Sequence, residues 1–388
     1  MNKNAIKFVI LCMSCLILSP NAASVALVDI GRAFPEQSTG MIALTLTLPF
    51  VVIIPFSFVS SAFSNIVKKR TLVLTGLVVI SVGGLAPIWT KTFLSLIVAR
   101  GVLGAGLGIM IPLTSGLIPA FFDGKEADTL FGFQSAATNV GQIIFTLVPG
   151  LLVVTGWRNI FWSYALAILV LLVAALKLPE PPRAINEENK RTSLDRGIFV
   201  VFVLAILFGL FTFPLFTILA SFVTSQHMGN GSTVGMILSA ETVIALVTGM
   251  LFGKIFVVLK QFTGVLGLAS LALGFFLISH ANGLPMVFAG AAVSGIGMVL
   301  DTVVLVIKAS TLAGKAAATM ATGLTITCVF LGQFLSPILM PVLVRSLGNT
   351  SDRFTFLATA WVFVIGLVLF GILSMFKLNS PAEGHVHG

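Results

Sequence analysis

The feature that most constrains this chain is a recurring apolar run about 20 residues long, the length of helix that crosses a bilayer's hydrocarbon core. Twelve such runs can be laid along the sequence, at 6–29, 39–66, 71–90, 93–121, 127–153, 159–178, 197–224, 232–258, 262–281, 284–308, 314–344 and 352–377. Backbone in hydrocarbon must satisfy its own hydrogen bonds, so these runs are expected to be helices. Charged residues make up 9% of the chain, against about 25% in soluble domains. The expected fold class is all-α integral membrane, and a soluble globular fold is excluded.

Lys3 and Lys7, an apolar run, and Asn21-Ala22-Ala23-Ser24 imitate a secretory signal. The run continues through Val28, long enough to span, so an uncleaved first helix is expected. The longest polar segment, Pro179 to Arg196, then divides the chain. It predicts an N-terminal six-helix bundle at 1–178, a cytoplasmic linker at 179–196, a C-terminal six-helix bundle at 197–377 and a disordered cytoplasmic tail at 378–388. A constant offset of 191 residues carries Gly104 to Gly295, Gly106 to Gly297 and Gly141-Gln142 to Gly332-Gln333. Two pseudo-symmetric bundles are therefore expected, as parallel repeats about an axis along the membrane normal.

Lysine and arginine bias sets the orientation. With the N terminus in the cytoplasm, 16 of the 22 basic residues fall inside, 5 outside, and Arg100 within the membrane. Both termini are thus expected in the cytoplasm, with the chain in the inner cell membrane and the lipid bilayer as its partner. The net charge of +9 is accounted for by this bias, so no nucleic-acid partner is expected. Cys12, Cys15 and Cys328 lie in apolar runs and show no metal spacing. His385 and His387, with Glu383, sit on the tail of small polar residues and read as disorder. No metal and no cofactor are expected.

The stretch from Thr92 to Phe161 holds the densest signal. Arg100 lies inside a spanning run, followed by Gly101, Gly104, Gly106 and Gly108; the next run carries Gly132 and Gly141. Small residues at such spacings let helix backbones approach closely. An arginine in hydrocarbon is tolerated when it faces a partner or a water-filled path. Glu241 in the eighth run and Asp301 in the tenth are the other ionisable groups well inside spans. Glu241 lies roughly 14 Å deep by helix rise. Arg100, Glu241 and Asp301 are the proton-coupling candidates, although a structural pairing of either carboxylate remains open. Gln134, Asn139 and Gln333, uncharged polar groups at membrane depth, are candidates for a substrate cavity or for bonds between helices.

Soluble enzymatic constellations are missing. There is no GxxxxGK[ST] loop, so ATP is not the expected energy source, and no enzyme activity is expected.

Arg100-Gly101 with Gly104, Gly106 and Gly108 resembles the helix 4 arginine–glycine motif of the major facilitator superfamily of secondary transporters. Gly132 and Gly141 resemble the start of the antiporter motif in its twelve-helix drug:proton antiporter branch. Gly156-Trp157-Arg158 through Phe161 and Leu178-Pro179-Glu180 are similar to family signposts flanking helix 6. The resemblance implies a role for Arg100 in proton transfer. The antiporter motif's Gly-Pro is replaced by Phe145-Thr146, with Pro149-Gly150 kept. Between helices 2 and 3 the family's glycine, aspartate, arginine and glycine are replaced by Ser60, Ser64, Asn65 and Val67, leaving Lys68, Lys69 and Arg70. These three basic residues, with Asp128 as a substitute acid by position only, are the cytoplasmic gate candidates.

The expected function is secondary active transport by alternating access, as proton-coupled efflux of a small organic or amphipathic compound. The expected partners are that small-molecule substrate and protons, with the chain working as a monomer. A proton-coupled importer, a facilitator or a lipid flippase is the alternative within the fold. A non-transporting membrane sensor is the alternative from another class.

Overall fold

The computed structural model describes residues 3–64, 66–181 and 196–379, without the side chains of 128, 196, 261, 314–316, 319 and 370–379. Most of the 179–196 linker and nearly all of the 378–388 tail therefore lie outside the described residues. Helices follow the twelve apolar runs: α1 (Lys3–Ala33), α2 (Thr39–Phe63), α3 (Lys69–Ile88), α4 (Phe93–Phe121), α5 (Gly124–Thr155), α6 (Trp157–Lys177), α7 (Gly197–Ser225), α8 (Gly231–Leu259), α9 (Thr263–Ser279), α10 (Leu284–Ala313), α11 (Met320–Ser346) and α12 (Asp352–Asn379). All but α9 are long and apolar enough, by length and composition, to cross a membrane.

Local chemistry sets the helix ends. Thr92 and Ser95 form a capping box at the start of α4, and Asn230 and Thr233 form one at α8. Each pair satisfies amide hydrogens that the first turn leaves unbonded. Gly156, at φ 132°, makes the turn into α6, a conformation a side chain would strain. Two helices are interrupted. α1 loosens to a 3₁₀ winding over Ser19–Ala26, beginning at Pro20, and α7 breaks on either side of Pro214–Thr217. A proline contributes no amide hydrogen and clashes with the preceding turn, which frees carbonyls there. The sequence predicts a break between 308 and 314. Instead α10 and α11 continue as one helical segment, Leu284–Ser346. The stretch across their junction, Ala309 to Ala321, holds six alanines and no proline, and alanine has the strongest helix propensity.

Glycines draw the helices together. A Cβ on Gly106 of α4 would lie 2.6 Å from the Ile80 nitrogen and 2.9 Å from the Gly76 carbonyl of α3. Gly297 of α10 meets Leu271 and the Gly267 carbonyl of α9 in the same way. Gly141 of α5 abuts the backbone of Cys15 in α1, and Gly332 of α11 abuts that of Ile206 in α7. Each of these pairs is carried onto its counterpart by the 191-residue offset. The repeat read in the glycines is thus also present in the residues they touch.

The two sets of six helices meet along an α2–α11 seam and an α5–α8 seam, and α1 also touches α7 and α8. In one, Phe50 of α2 packs on Phe213 of α7 at 5.6 Å and on Phe330 of α11 at 5.4 Å between ring centroids. In the other, α5 lies against α8, so closely that a Cβ on Gly150 would be 2.9 Å from the Gly235 Cα. Both seams occupy the halves of these helices farther from the N terminus. In the opposite halves, Gly116 of α4, Gly132 of α5, Gly253 of α8 and Gly323 of α11 have no atom within 4 Å of an added Cβ.

Candidate functional site

Arg100 is fully buried, and its charge is held by α1, α2 and α6. Its Nε donates to the Thr45 carbonyl at 2.5 Å, one terminal nitrogen to the Pro20 carbonyl at 2.9 Å, and the other to the Tyr164 hydroxyl at 2.9 Å. Tyr164 in turn donates to the Ser19 carbonyl at 2.7 Å. The carbonyls of Ser19 and Pro20 lie at the start of the 3₁₀ stretch of α1. The guanidinium also lies 5.9 Å from the centroids of Phe161 and Tyr164. A cation fully desolvated needs donors matched to acceptors and aromatic faces to replace water. Here the break in α1 supplies part of that need.

Glu241 is 2% exposed and lies on α8 next to Thr242, a residue of the α5–α8 seam. Its Oε2 accepts from the Thr242 hydroxyl at 2.9 Å; the same hydroxyl lies 2.8 Å from the Leu238 carbonyl. Gln142 of α5 reaches across and donates from Nε2 to Thr242 Oγ1 at 2.9 Å. One turn farther along, Thr146 and Ser239 share a hydroxyl–hydroxyl bond at 2.9 Å. Behind Glu241, a Cβ on Gly295 of α10 would fall 2.6 Å from its carbonyl oxygen and 3.3 Å from its Oε1. The α5–α8 seam is therefore polar and carries a carboxylate; its counterpart, at Phe50, is aromatic.

Asp301 is 7% exposed and points elsewhere. Its carboxylate lies against Gly267 of α9, where an added Cβ would meet its Cγ at 2.6 Å, and its Oδ2 has no hydrogen-bond partner among the described residues. Arg100, Glu241 and Asp301 are thus held by different helices, and the fold does not bring them into one cluster. Of the uncharged candidates, Gln134 donates to Ser115 of α4 at 3.0 Å, and Asn139 donates to the Ser135 carbonyl of its own helix at 3.0 Å. Gln333 keeps a buried Oε1 without a partner among the described residues, as does Ser336 Oγ one turn on.

Gly104, Gly106, Gly108 and Gly141 all press on neighbouring helices. Gly101 and Gly132 differ from the sequence expectation of close packing. Gly101 meets only Leu48, at 3.9 Å from an added Cβ, and the exposed Gly132 meets nothing within 4 Å among the described residues. At the end nearer the N terminus, Glu180 accepts from the backbone nitrogens of Lys69 and Arg70 at 2.8 and 3.1 Å, a carboxylate on the first turn of α3. Arg70 also donates to the Ala175 carbonyl at 2.7 Å. Lys68 is exposed. Lys69 and Arg70 thus bond to Glu180, just past the end of α6, and to Ala175 within it, and the side chain of Asp128 is outside the described residues.

Sequence reasoning missed Tyr164, Thr242 and the cross-seam role of Gln142. Tyr164 had a signal: it is the chain's one tyrosine beside 33 phenylalanines. A buried hydroxyl in so apolar a chain wants a partner. Thr242 had none, since a threonine in a span ordinarily bonds its own helix.

Comparison with known proteins gives a consistent picture. A family model described as Major Facilitator Superfamily matches residues 9–337. The quinolone resistance protein NorA of Staphylococcus aureus (strain Mu50 / ATCC 700699) is 23% identical over 56% of this chain and 55% of its own length. The protein YaaU of Escherichia coli (strain K12) is 26% identical over 36% of this chain and 32% of its own. The chain thus spans about half or less of the curated relatives it matches. Among solved structures, a D-xylose-proton symporter superposes with a TM-score of 0.76 at 16% identity, over 95% of this chain and 97% of that one. A bacterial homolog of the human lysosomal transporter Spinster, inward-facing and unoccupied, gives 0.73 at 15%, over 98% and 100%. At these identities the structural likeness establishes the fold alone.

Proposed function

The chain belongs to the major facilitator superfamily, and on that premise we propose that it is a proton-coupled exporter of small organic or amphipathic compounds, working by alternating access in the inner cell membrane. The helices at 1–178 and 197–377 act as two bundles that rock about a central path. The basic bias of the sequence places the N terminus in the cytoplasm. On this reading the seams face outward, and the described conformation is the one closed to the outside.

The observation that carries the proposal is Glu241, a buried carboxylate hydrogen-bonded to Thr242, the residue that meets Gln142 across the seam that must part for the outward-open state. A group there meets water from opposite sides in the two states, as a coupling site requires. Asp301, buried against α9, is a second candidate for proton binding. Export of an organic compound draws support from the likeness to NorA, whose name records quinolone resistance.

The test is transport in proteoliposomes under an imposed pH gradient, with a panel of cationic dyes, drugs and metabolites and with lumenal pH followed alongside. The expected result is substrate movement opposite to protons, abolished in Glu241→Gln while membrane insertion persists. Movement with protons, or indifferent to the gradient, overturns export. Full gradient-driven activity in Glu241→Gln removes Glu241 from the coupling.

A further inference from the structure

Thr242 Oγ1 is the meeting point of three groups from two bundles. It has one hydrogen to give and two lone pairs to offer. Gln142 uses one lone pair, and Leu238 and Glu241 both lie within reach of the single hydrogen. With Glu241 in its acid form, every demand is met: Glu241 donates to Thr242 Oγ1, Thr242 donates to the Leu238 carbonyl, and Gln142 donates to Thr242. With Glu241 ionised, the carboxylate takes the Thr242 hydrogen from Leu238. It then holds one hydroxyl donor for about four lone-pair sites. A desolvated charge with so few donors is costly, and removing its compensation typically costs several kcal/mol.

Nothing else in the seam balances that charge. α5 carries charge only at its far end, on Lys125, Glu126 and Asp128, and α9 carries none. From α10, Asp301 faces Gly267, and Lys308 lies farther toward the open end. α8 adds only Lys254, also toward that end. From α1, Cys15 abuts Gly141, and Asp29 pairs with Arg32 at 3.2 Å near the opposite end. Arg100 is occupied by Thr45, Pro20 and Tyr164. The ionised carboxylate is relieved when α5 and α8 part and water enters. The α2–α11 seam has no such group, since the 191-residue offset places Phe50 where α8 has Glu241.

We propose that Gln142 and Thr242 form with Glu241 a proton-operated latch across the α5–α8 seam, closed while Glu241 carries its proton and released when the proton leaves. The latch rests on Glu241 being the coupling carboxylate, and it names the positioning residues through which that proton reaches helix packing. The step is a proton transfer between the Glu241 carboxyl and water; no other bond is made or broken.

Hydrogen–deuterium exchange of the full chain in lipid nanodiscs tests the latch without any transport assay. Exchange in the outer halves of α5 and α8, corrected for the intrinsic effect of pH, is expected to rise about tenfold from acid to alkaline buffer, within the usual range of coupling between sites. Glu241→Gln, whose carboxamide donates as the acid does, is expected to exchange slowly in both buffers. Thr242→Val is expected to lose the pH response, and Thr242→Ser, which restores the hydroxyl, to regain it. A wild-type response retained in Thr242→Val overturns the latch even where transport is proton-coupled. A response present in the wild type and lost in Thr242→Val upholds the latch even where proteoliposomes show no proton coupling, and the failure then belongs to the exporter proposal. A wild type without any pH response overturns the latch outright.

Discussion

At the scale of single residues, the membrane interior makes each polar group declare its partner. Arg100 joins three helices through the carbonyls of Thr45 and Pro20 and the Tyr164 hydroxyl. Tyr164→Phe removes the hydroxyl that both accepts from Arg100 and donates to Ser19. It is expected to destabilise the fold by about 1–3 kcal/mol, the cost of stranding a buried donor or acceptor. Arg100→Ala strands three acceptors and is expected to cost more. Thermal unfolding of the purified protein in detergent checks both; a Tyr164→Phe protein melting with the wild type would show that the hydroxyl carries no load. The arginine was legible in the sequence, because a cation in a spanning run needs a reason. Its acceptors were not, since two are main-chain carbonyls on other helices, which only packing brings within reach. For the same reason Glu241 was legible and Thr242 and Gln142 were not: a carboxylate in hydrocarbon stands out, whereas hydroxyls and amides acquire meaning only from what lies opposite.

At the scale of helices, the glycine pattern describes contact geometry directly. The twelve spans were readable because bilayer thickness fixes their length, and the repeat was readable because close approach admits little but glycine at Gly106 and Gly297. The unbroken passage from α10 into α11 was not, because span length says where a helix is needed and leaves open where it stops. Gly106→Ala and Gly297→Ala place a methyl group against backbone that cannot retreat, at 2.6 Å from Ile80 in one repeat and 2.5 Å from the Gly267 carbonyl in the other. Each is expected to cost about 1–3 kcal/mol, the usual penalty for overpacking, and the two melting shifts are expected to be similar because their partners are related by the same offset. Gly132→Ala, with open space around it, is expected to leave the melting temperature unchanged. A loss at Gly132 as large as that at Gly106 would show that glycine matters here for chain flexibility and has little to do with contact.

At the scale of the whole molecule, the proposed rocking of two bundles requires the α2–α11 and α5–α8 seams, and the contacts of α1 with α7 and α8, to part. The seams differ in chemistry, with phenylalanine rings in one and hydroxyls, an amide and a carboxylate in the other. The polar seam is also the tighter, because Gly150 and Gly235 face each other across it. A side chain at either position acts as a wedge: Gly150→Val places branched carbon where a single Cβ already comes within 2.9 Å of the Gly235 Cα. The wedge has no counterpart in the α2–α11 seam, so it raises the energy of the closed outer face without touching Glu241, Arg100 or Asp301. Population then moves toward the state in which α5 and α8 are apart. Ser239, 7% exposed in the closed seam, reports that shift. With Ser239→Cys in intact cells, a membrane-impermeant thiol reagent is expected to label the Gly150→Val protein at least about fivefold faster than its Gly150 parent, the low end of typical coupling energies. Labelling from outside the cell would also fix the topology, since Ser239 faces that side only if the N terminus is cytoplasmic. Equal labelling of the two proteins would mean that the seam accommodates the wedge by bending α5 locally, and rigid rocking of the bundles would then fail as the description of this transporter.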